Sequence, residues 1–212
     1  MPRPRVYDPE RVLDAVESLA VASGPAAVTI RAISAAVGVS NGAVYHTFGS
    51  RAGLIGQAWL RAGRRFLTVQ TTSVDEALST PGSPAAVEAV VAAAEVPVLF
   101  AEQYPNSSKL LLTVRREELL SEELPDEIAA ELEDLDQSLV GLLIRLAAAL
   151  WERKDARAVD VITTCVVDLP TAILLRRDRL GSATAREHLR AAVRAVLAVG
   201  PPPLGKGKNH GH

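Results

Sequence analysis

The sequence predicts an all-α chain in which a small N-terminal three-helix domain precedes a larger helical one. Three observations carry this. Apolar residues reach 48% of the chain while aromatics supply only 4%, so the core must be built from Ala, Val and Leu on closely packed helices. Ser, Thr and Asp stand immediately before apolar runs with helical spacing, the signature of capped helix starts. A length of 212 residues suffices to bury a substantial core, in one body or in a small domain plus a larger one.

The elements follow in order. Asp8 caps a first helix with Pro9 at its opening position; Val12, Val16 and Leu19 line one side until Gly24 closes it. Thr29 caps a second helix, in which Ile30, Ile33 and Val37 share a face, and Gly38 ends it. Ser40 caps a third, with Val44 and Phe48 four apart and pointing inward. At about 100° per residue, Gly42 and His46 then point away from Val44, flanked by Ala43 and Tyr45. Ser50 opens a fourth helix expected to reach Thr68, packing Leu54, Ile55, Trp59 and Phe66 inward. The Ser/Thr/Pro/Gly cluster makes residues 71–84 a turn or loop. Helical patterns resume over 85–100, 107–120, 125–152, 156–179 and 183–199, with Pro97, Pro105, Pro125 and Pro170 as starts or kinks. The Pro/Gly-rich tail, 201–212, is expected to be disordered, its His210 and His212 included.

Two short capped helices joined at Gly38 form a helix-turn-helix, about residues 28–47. The outer face of the second of them carries Gly, Ala, Tyr and His, with almost no bulk at its N-terminal end, and such a face can approach the floor of a DNA major groove. Charge points the same way. No Asp or Glu occurs from Ser18 to Val74, while Arg31, Arg51, Arg61, Arg64 and Arg65 fall inside that span. Residues 1–66 hold eight Arg against four carboxylates, and residues 67–212 hold fifteen basic against twenty-one acidic residues, an asymmetry hidden by the overall net charge of −2. A basic end on an acidic body is the footprint of a protein that offers that end to phosphates. Arg3 and Arg5, between prolines on a segment too short to fold, form an arm that either touches a phosphate or the minor groove or stays disordered without a fixed contact; Arg61, Arg64 and Arg65 lie farther along and are expected to pair with the acidic body.

The run from Val28 to Leu54, with Thr29, the A-x-x-x-G-V-S segment ending at Ser40, G-A-V-Y at 42–45, Phe48 and S-R-x-x-L at 50–54, resembles the DNA-binding domain of TetR/AcrR-type transcriptional regulators. Where that family commonly has Lys after the serine, this chain has Arg51, which keeps the charge and changes the donor geometry. The resemblance implies a homodimeric, ligand-responsive repressor. It assigns residues 1–66 to DNA binding and 67–200 to effector binding and dimerisation. On this reading Asn41, Gly42, Ala43, Tyr45, His46 and Arg31 face base edges or nearby phosphates, and Thr29, Ser40 and Arg51 anchor the DNA backbone.

Other classes fare worse. Cys165 is the only cysteine, so no intrachain disulfide forms, and its apolar surroundings in sequence predict a buried, inert thiol. The spacings of metalloproteases, serine hydrolases and P-loops are missing, and His46 and His188 have no catalytic neighbours in sequence; no cofactor, metal or enzymatic activity is expected. The N-terminus has no secretory hydrophobic core, and Arg145 and Asp168 interrupt the longest apolar runs, so a cytoplasmic protein without a membrane span is expected. The alternative to a regulator is a helical carrier or interaction module without gene-specific DNA binding.

For the small-molecule effector the sequence offers Trp59, Phe66, Phe100, Tyr104 and Trp151, aromatics from separate helices that a chain poor in them can gather round a cavity. Asp168 joins them as a carboxylate in a long apolar helix, expected to be buried against a ligand or against Arg115, Arg116 or Arg176. The last two helical stretches carry apolar stripes, Ile162, Val166, Leu169 and Ile173, then Leu189, Val193, Val196 and Leu197, suited to a two-fold dimer seam.

Overall fold

The structure, a computed structural model, describes residues 8–80, 84–121 and 124–203. It is all-α among those residues. The helices are α1 (Pro9–Ser23), α2 (Ile30–Val37), α3 (Asn41–Phe48), α4 (Arg51–Leu78), α5 (Ala85–Gln103), α6 (Pro105–Thr113), α7 (Arg116–Ser121), α8 (Asp126–Trp151), α9 (Ala156–Thr163) and α10 (Ala183–Val199). A single 3-10 turn, Pro25–Ala27, joins α1 to the α2 segment.

The capping signals do what their chemistry allows. Asp8 accepts from the Glu10 N–H, Thr29 from Ala32, Ser40 from Ala43 and Ser182 from Ala185, each satisfying an otherwise orphaned donor. Gly38 sits at φ 72°, ψ 33°, the left-handed conformation that ends α2 without a Cβ penalty.

The chain packs as two compact units, Met1–Gln70 with Val96–Leu139, and Thr71–Glu95 with Val140–His212. The functional division expected at 66/67 therefore differs from the division made by packing, because residues 96–139 bury their apolar faces with the N-terminal helices. In the first unit Val12, Val16, Ile33, Val44, Leu54 and Leu110 are fully buried in one cluster drawn from α1, α2, α3, α4 and α6. Leu60, Ile128 and Leu132 make a smaller cluster of α4 and α8, which approach closely because Gly56 and Gly63 present no side chain to Ile128 and Leu135. In the second unit α10 is tied to α5 by ion pairs: Arg194 with Glu88, and both Arg186 and Arg190 with Glu95, a carboxylate only 7% exposed.

Several sequence expectations need correction. The fourth helix runs to Leu78, not Thr68, so residues 71–78 are helix: the turn-forming residues of that stretch begin only at Ser79. The expected helix over 107–120 is two, α6 and α7, broken at Val114–Arg115. The stretch after α9 continues as two π-helical turns, Thr164–Asp168 and Thr171–Leu175, on either side of Pro170, whose missing N–H and ring displace the regular hydrogen-bond ladder. By length and composition Ala156–Leu175 is long and apolar enough to cross a membrane, contrary to the expectation that Asp168 interrupts it; one third of it is buried. Residues 201–203 of the expected disordered tail are held, since Arg153 and Arg157 donate to the carbonyls of Pro202 and Pro203. Arg3, Arg5, His210 and His212 lie outside the described residues.

Candidate nucleic-acid interface

Helix α3 is seated from below by Val44, fully buried, and Phe48, 7% exposed, which enter the core of the first unit. That leaves Asn41, Gly42, Tyr45, His46 and Thr47 exposed and Ala43 half-buried, and Tyr45 keeps 61% of its surface free. An aromatic this exposed on a helix whose opposite face is fully buried contributes nothing to the core. The Asn41 amide, the Tyr45 hydroxyl and the His46 imidazole make no hydrogen bond among the described residues, so the face presents open donors and acceptors. Arg31 is exposed in the first turn of α2.

Thr29 and Ser40 are exposed, and each hydroxyl caps its helix. Arg51 is turned inward: Nε donates to the Val28 carbonyl at 3.0 Å and Nη2 to the Pro25 carbonyl at 2.8 Å. Its guanidinium thus braces the segment leading into α2 against the start of α4, a structural use of the planar fork that the sequence assigned to a phosphate. The turn from α3 into α4 depends on Gly53. Its amide is capped by Ser50 Oγ at 3.0 Å, and a Cβ there would stand 2.0 Å from the Phe48 carbonyl oxygen. Sequence reading passed over Gly53 because a glycine two residues into a helix carries no local signal.

A buried ionic hub fixes α1 to α4 and α6. Glu17 is 3% exposed, and its Oε1 accepts from Arg61 Nε at 3.1 Å and Nη2 at 2.7 Å, while its Oε2 accepts from Ser107 Oγ at 2.8 Å. Arg61 also meets Glu10 and Asp14, both at 2.9 Å. Burial alone would lower the pKa of this guanidinium; its hydrogen bonds to Glu17 and Glu10 and the fields of Glu17 and Asp14 outweigh that and raise it. The expectation for the three arginines of this region holds for Arg64, which meets Glu131. Arg61 and Arg65 instead turn to acids of α1. Glu17 was legible in principle: it follows Leu13 by four residues and Val16 by one, on the apolar stripe of α1.

The expected effector residues divide. Phe66 meets Phe100 edge-to-face at 5.3 Å, Phe100 lies 5.5 Å from Tyr104, and the Arg65 guanidinium sits 5.3 Å over the Tyr104 ring. Trp59 instead packs on the core of the first unit and donates its indole N–H to the Val114 carbonyl at 3.0 Å. Trp151 belongs to the second unit, beside Gly200. Asp168 is a correction: it is exposed, not buried, and it pairs with none of the expected arginines, since Arg115 meets Glu117 and Arg116 meets Asp136. Apolar neighbours in sequence do not bury a residue whose helix face has nothing packed on it. A cleft of about 380 Å³ opens in the first unit, lined mainly by α4 residues from Gln57 to Val69, with Glu10, Leu13 and Tyr104. Of the six expected effector residues it includes Tyr104 alone. Cys165 is buried, and desolvation pushes its thiol up to about 12, as befits an inert side chain.

Residues 12–58, which span α1, α2, α3 and the first turns of α4, match the family model for bacterial regulatory proteins of the tetR family. Over that stretch, about a fifth of its length, the chain is similar to the DNA-binding part of tetR-family regulators. Solved structures repeat the fold. A bacterial regulatory protein in the tetR family from Rhodococcus RHA1 is 22% identical, with 92% of this chain and 98% of that one covered and a TM-score of 0.61. A TetR-like transcriptional regulator from Rhodococcus sp. RHA1 is 18% identical over 93% and 99%, at 0.63, and the ketosteroid transcriptional regulator KstR2 of Mycobacterium tuberculosis is 17% identical over 93% and 97%, at 0.56. At such identities the likeness carries the fold alone. No curated protein matches this chain.

Proposed function

We propose that this protein is a TetR-type homodimeric repressor that α3 holds on a pseudo-palindromic operator and that a small-molecule effector releases. The observation that carries the reading is the outer face of α3, where Tyr45 is 61% exposed and Asn41 and His46 are unengaged, backed by fully buried Val44. Gly42, Ala43 and Arg31 complete the DNA-facing surface. Thr29 and Ser40 act through the helix ends they cap, which direct N–H groups and the positive end of the dipole toward phosphates.

The dimer seam we assign to the stretch from α9 through its π-helical turns and to α10. The expected stripes are a correction, since Ile162, Val166, Leu189, Val193 and Leu197 are buried within the single chain; Val167, 37% exposed, is the large apolar residue of Ala156–Leu175 left facing outward. A second copy packed on this face would cover Val167. A two-fold pair then sets its reading helices about one DNA turn apart, about 34–36 Å. The effector we place against α4, where the cleft beside Tyr104 touches α1 as well; a ligand that binds better when α4 is displaced would shift the population toward a state with the wrong half-site spacing.

The test is selection of bound duplexes from a random library by the purified protein at near-physiological salt. An enriched inverted repeat supports the reading, and only diffuse, salt-sensitive binding overturns it in favour of a helical carrier. Sedimentation of Val167→Glu checks the seam: the variant should become monomeric, and an unchanged dimer would move the interface elsewhere.

A further inference from the structure

From the hydrogen bonds of Arg51 we infer that its guanidinium is the clasp of the helix-turn-helix, a positioning residue that sets the pose of α3 on DNA without touching a phosphate, so that lysine cannot replace it. This rests on α3 being the base-reading helix. Arg51 is the first residue of α4, three residues after α3 ends. From there it reaches back 23 and 26 residues, Nε donating to the Val28 carbonyl at 3.0 Å and Nη2 to the Pro25 carbonyl at 2.8 Å. Pro25 opens the 3-10 turn that precedes α2, and Val28 closes it, one residue ahead of the Thr29 cap. Between the two clasped ends lie α2, the turn at Gly38 and α3. The fork of Arg51 therefore closes the helix-turn-helix into a loop pinned at its base.

Such a loop needs a pin. Helices α2 and α3 have 8 residues each, too short to hold their own shape or mutual angle by backbone hydrogen bonds alone. Ile33, Val44 and Phe48 fasten their inner faces to the core, but burial of apolar surface is non-directional. Two charge-assisted hydrogen bonds from one planar group fix direction as well as distance. The same two bonds commit the side chain, because meeting a phosphate with this edge of the guanidinium would mean giving up both carbonyls. Lysine keeps the charge and can reach a phosphate, yet its single ammonium on a flexible stem cannot present two donors in one fixed plane. Clasp and phosphate contact thus make opposite demands on this position.

The experiment uses the full-length protein and the operator obtained by library selection. Binding to operator and to random duplex is measured over a salt series at room temperature, once the melting and the active fraction of each variant are known. Arg51→Lys should bind operator about tenfold more weakly, the cost of about one mismatched base pair, with random-duplex affinity within about twofold of wild type and an unchanged salt slope. Arg51→Gln should lose about as much operator affinity as Arg51→Lys. A phosphate contact would show the reverse, with Arg51→Lys near wild type and Arg51→Gln weaker on every duplex with a slope smaller by about one; that result overturns the inference. So does an Arg51→Lys protein that melts lower yet binds operator like wild type, or one that loses operator and random duplex equally. A measurement on wild type decides the matter where neither variant folds. The Arg51 Nε–H resonance, traced through its own side chain by NMR, should exchange slowly with water in the free protein and hold its place when operator is added; fast exchange or a large shift overturns the clasp. Any of these contrary results beside an enriched inverted repeat leaves the regulator reading standing. Failure to enrich any repeat overturns both.

Discussion

Removing the guanidinium of Arg61 strands a charge inside the protein. Glu17 is 3% exposed and takes two of its hydrogen bonds from Arg61 and the third from Ser107. Breaking a buried pair costs about 3–5 kcal/mol, because the remaining charge keeps its desolvation penalty. Ser107 stays bonded and Arg65 Nη1 stands 3.7 Å away, so the lower end applies, about 3 kcal/mol. The contacts of Arg61 to Glu10 and Asp14, whose side chains are 63% and 66% exposed, add less than about 1 kcal/mol each. For a chain of this size about 3 kcal/mol lowers Tm by roughly 6–12 °C. Glu17→Gln keeps the shape and the acceptor but removes the charge, and should cost about 1 kcal/mol. In the double variant no charge is stranded, so the combined loss should fall short of the sum of the singles by about 2 kcal/mol. The assay is thermal and urea unfolding at pH 7 and one protein concentration, followed by far-UV circular dichroism. Additive losses, or Arg61→Ala melting within about 2 °C of wild type, would refute the reasoning and mean that Glu17 folds uncharged or reaches water.

Tyr45→Ala should weaken operator binding by about tenfold or more with unchanged melting, since 61% of the side chain is free; unaltered affinity removes Tyr45 from the interface. Gly53→Ala puts a methyl 2.0 Å from the Phe48 carbonyl, so the α3–α4 turn must open, costing about 1–3 kcal/mol and the seating of α3; a variant that melts and binds like wild type contradicts that geometry. Cys165 should resist alkylation at pH 8 in the folded protein and react fully in denaturant, and rapid labelling of the native state would show it is not buried. Asp155 is held down to about 2 by the hydrogen bonds of Arg153, against 3.8 when free. A lowered carboxylate pKa contributes stability present above about pH 4 and lost as pH falls through about 2. Arg153→Ala should accordingly be less stable than wild type near neutrality, with the gap narrowing over that acid window; a gap constant with pH argues against the pairing.

Local chemistry determined the reading unit. Whether a helix begins at Asp8, Thr29 or Ser40 depends on a hydroxyl or carboxylate reaching an amide two or three residues away, and whether Val44 or Tyr45 faces the core depends on helical periodicity; both are interactions within one or two turns of chain. The order of α1, α2 and α3, the turn at Gly38 and the outward face of α3 were therefore legible in the sequence. Where the fourth helix ends was not, because Thr71, Thr72 and Ser73 are weak helix formers whose state was decided by tertiary packing, with Val74 fully buried one turn before the end.

The uses of charge belonged to tertiary structure. Arg51 and Arg61 look alike in sequence, yet one guanidinium braces the entry to α2 through backbone carbonyls and the other neutralises Glu17, because partners 23 to 44 residues away came within hydrogen-bond reach. Asp168 shows the reverse, a carboxylate among apolar residues that stays exposed because burial depends on what covers a helix face and not on what surrounds it in the chain. Hydrogen bonds and hydrophobic stripes within a helix follow from spacing alone; ion pairs and burial follow from which helices meet, and that is settled only when the whole core packs.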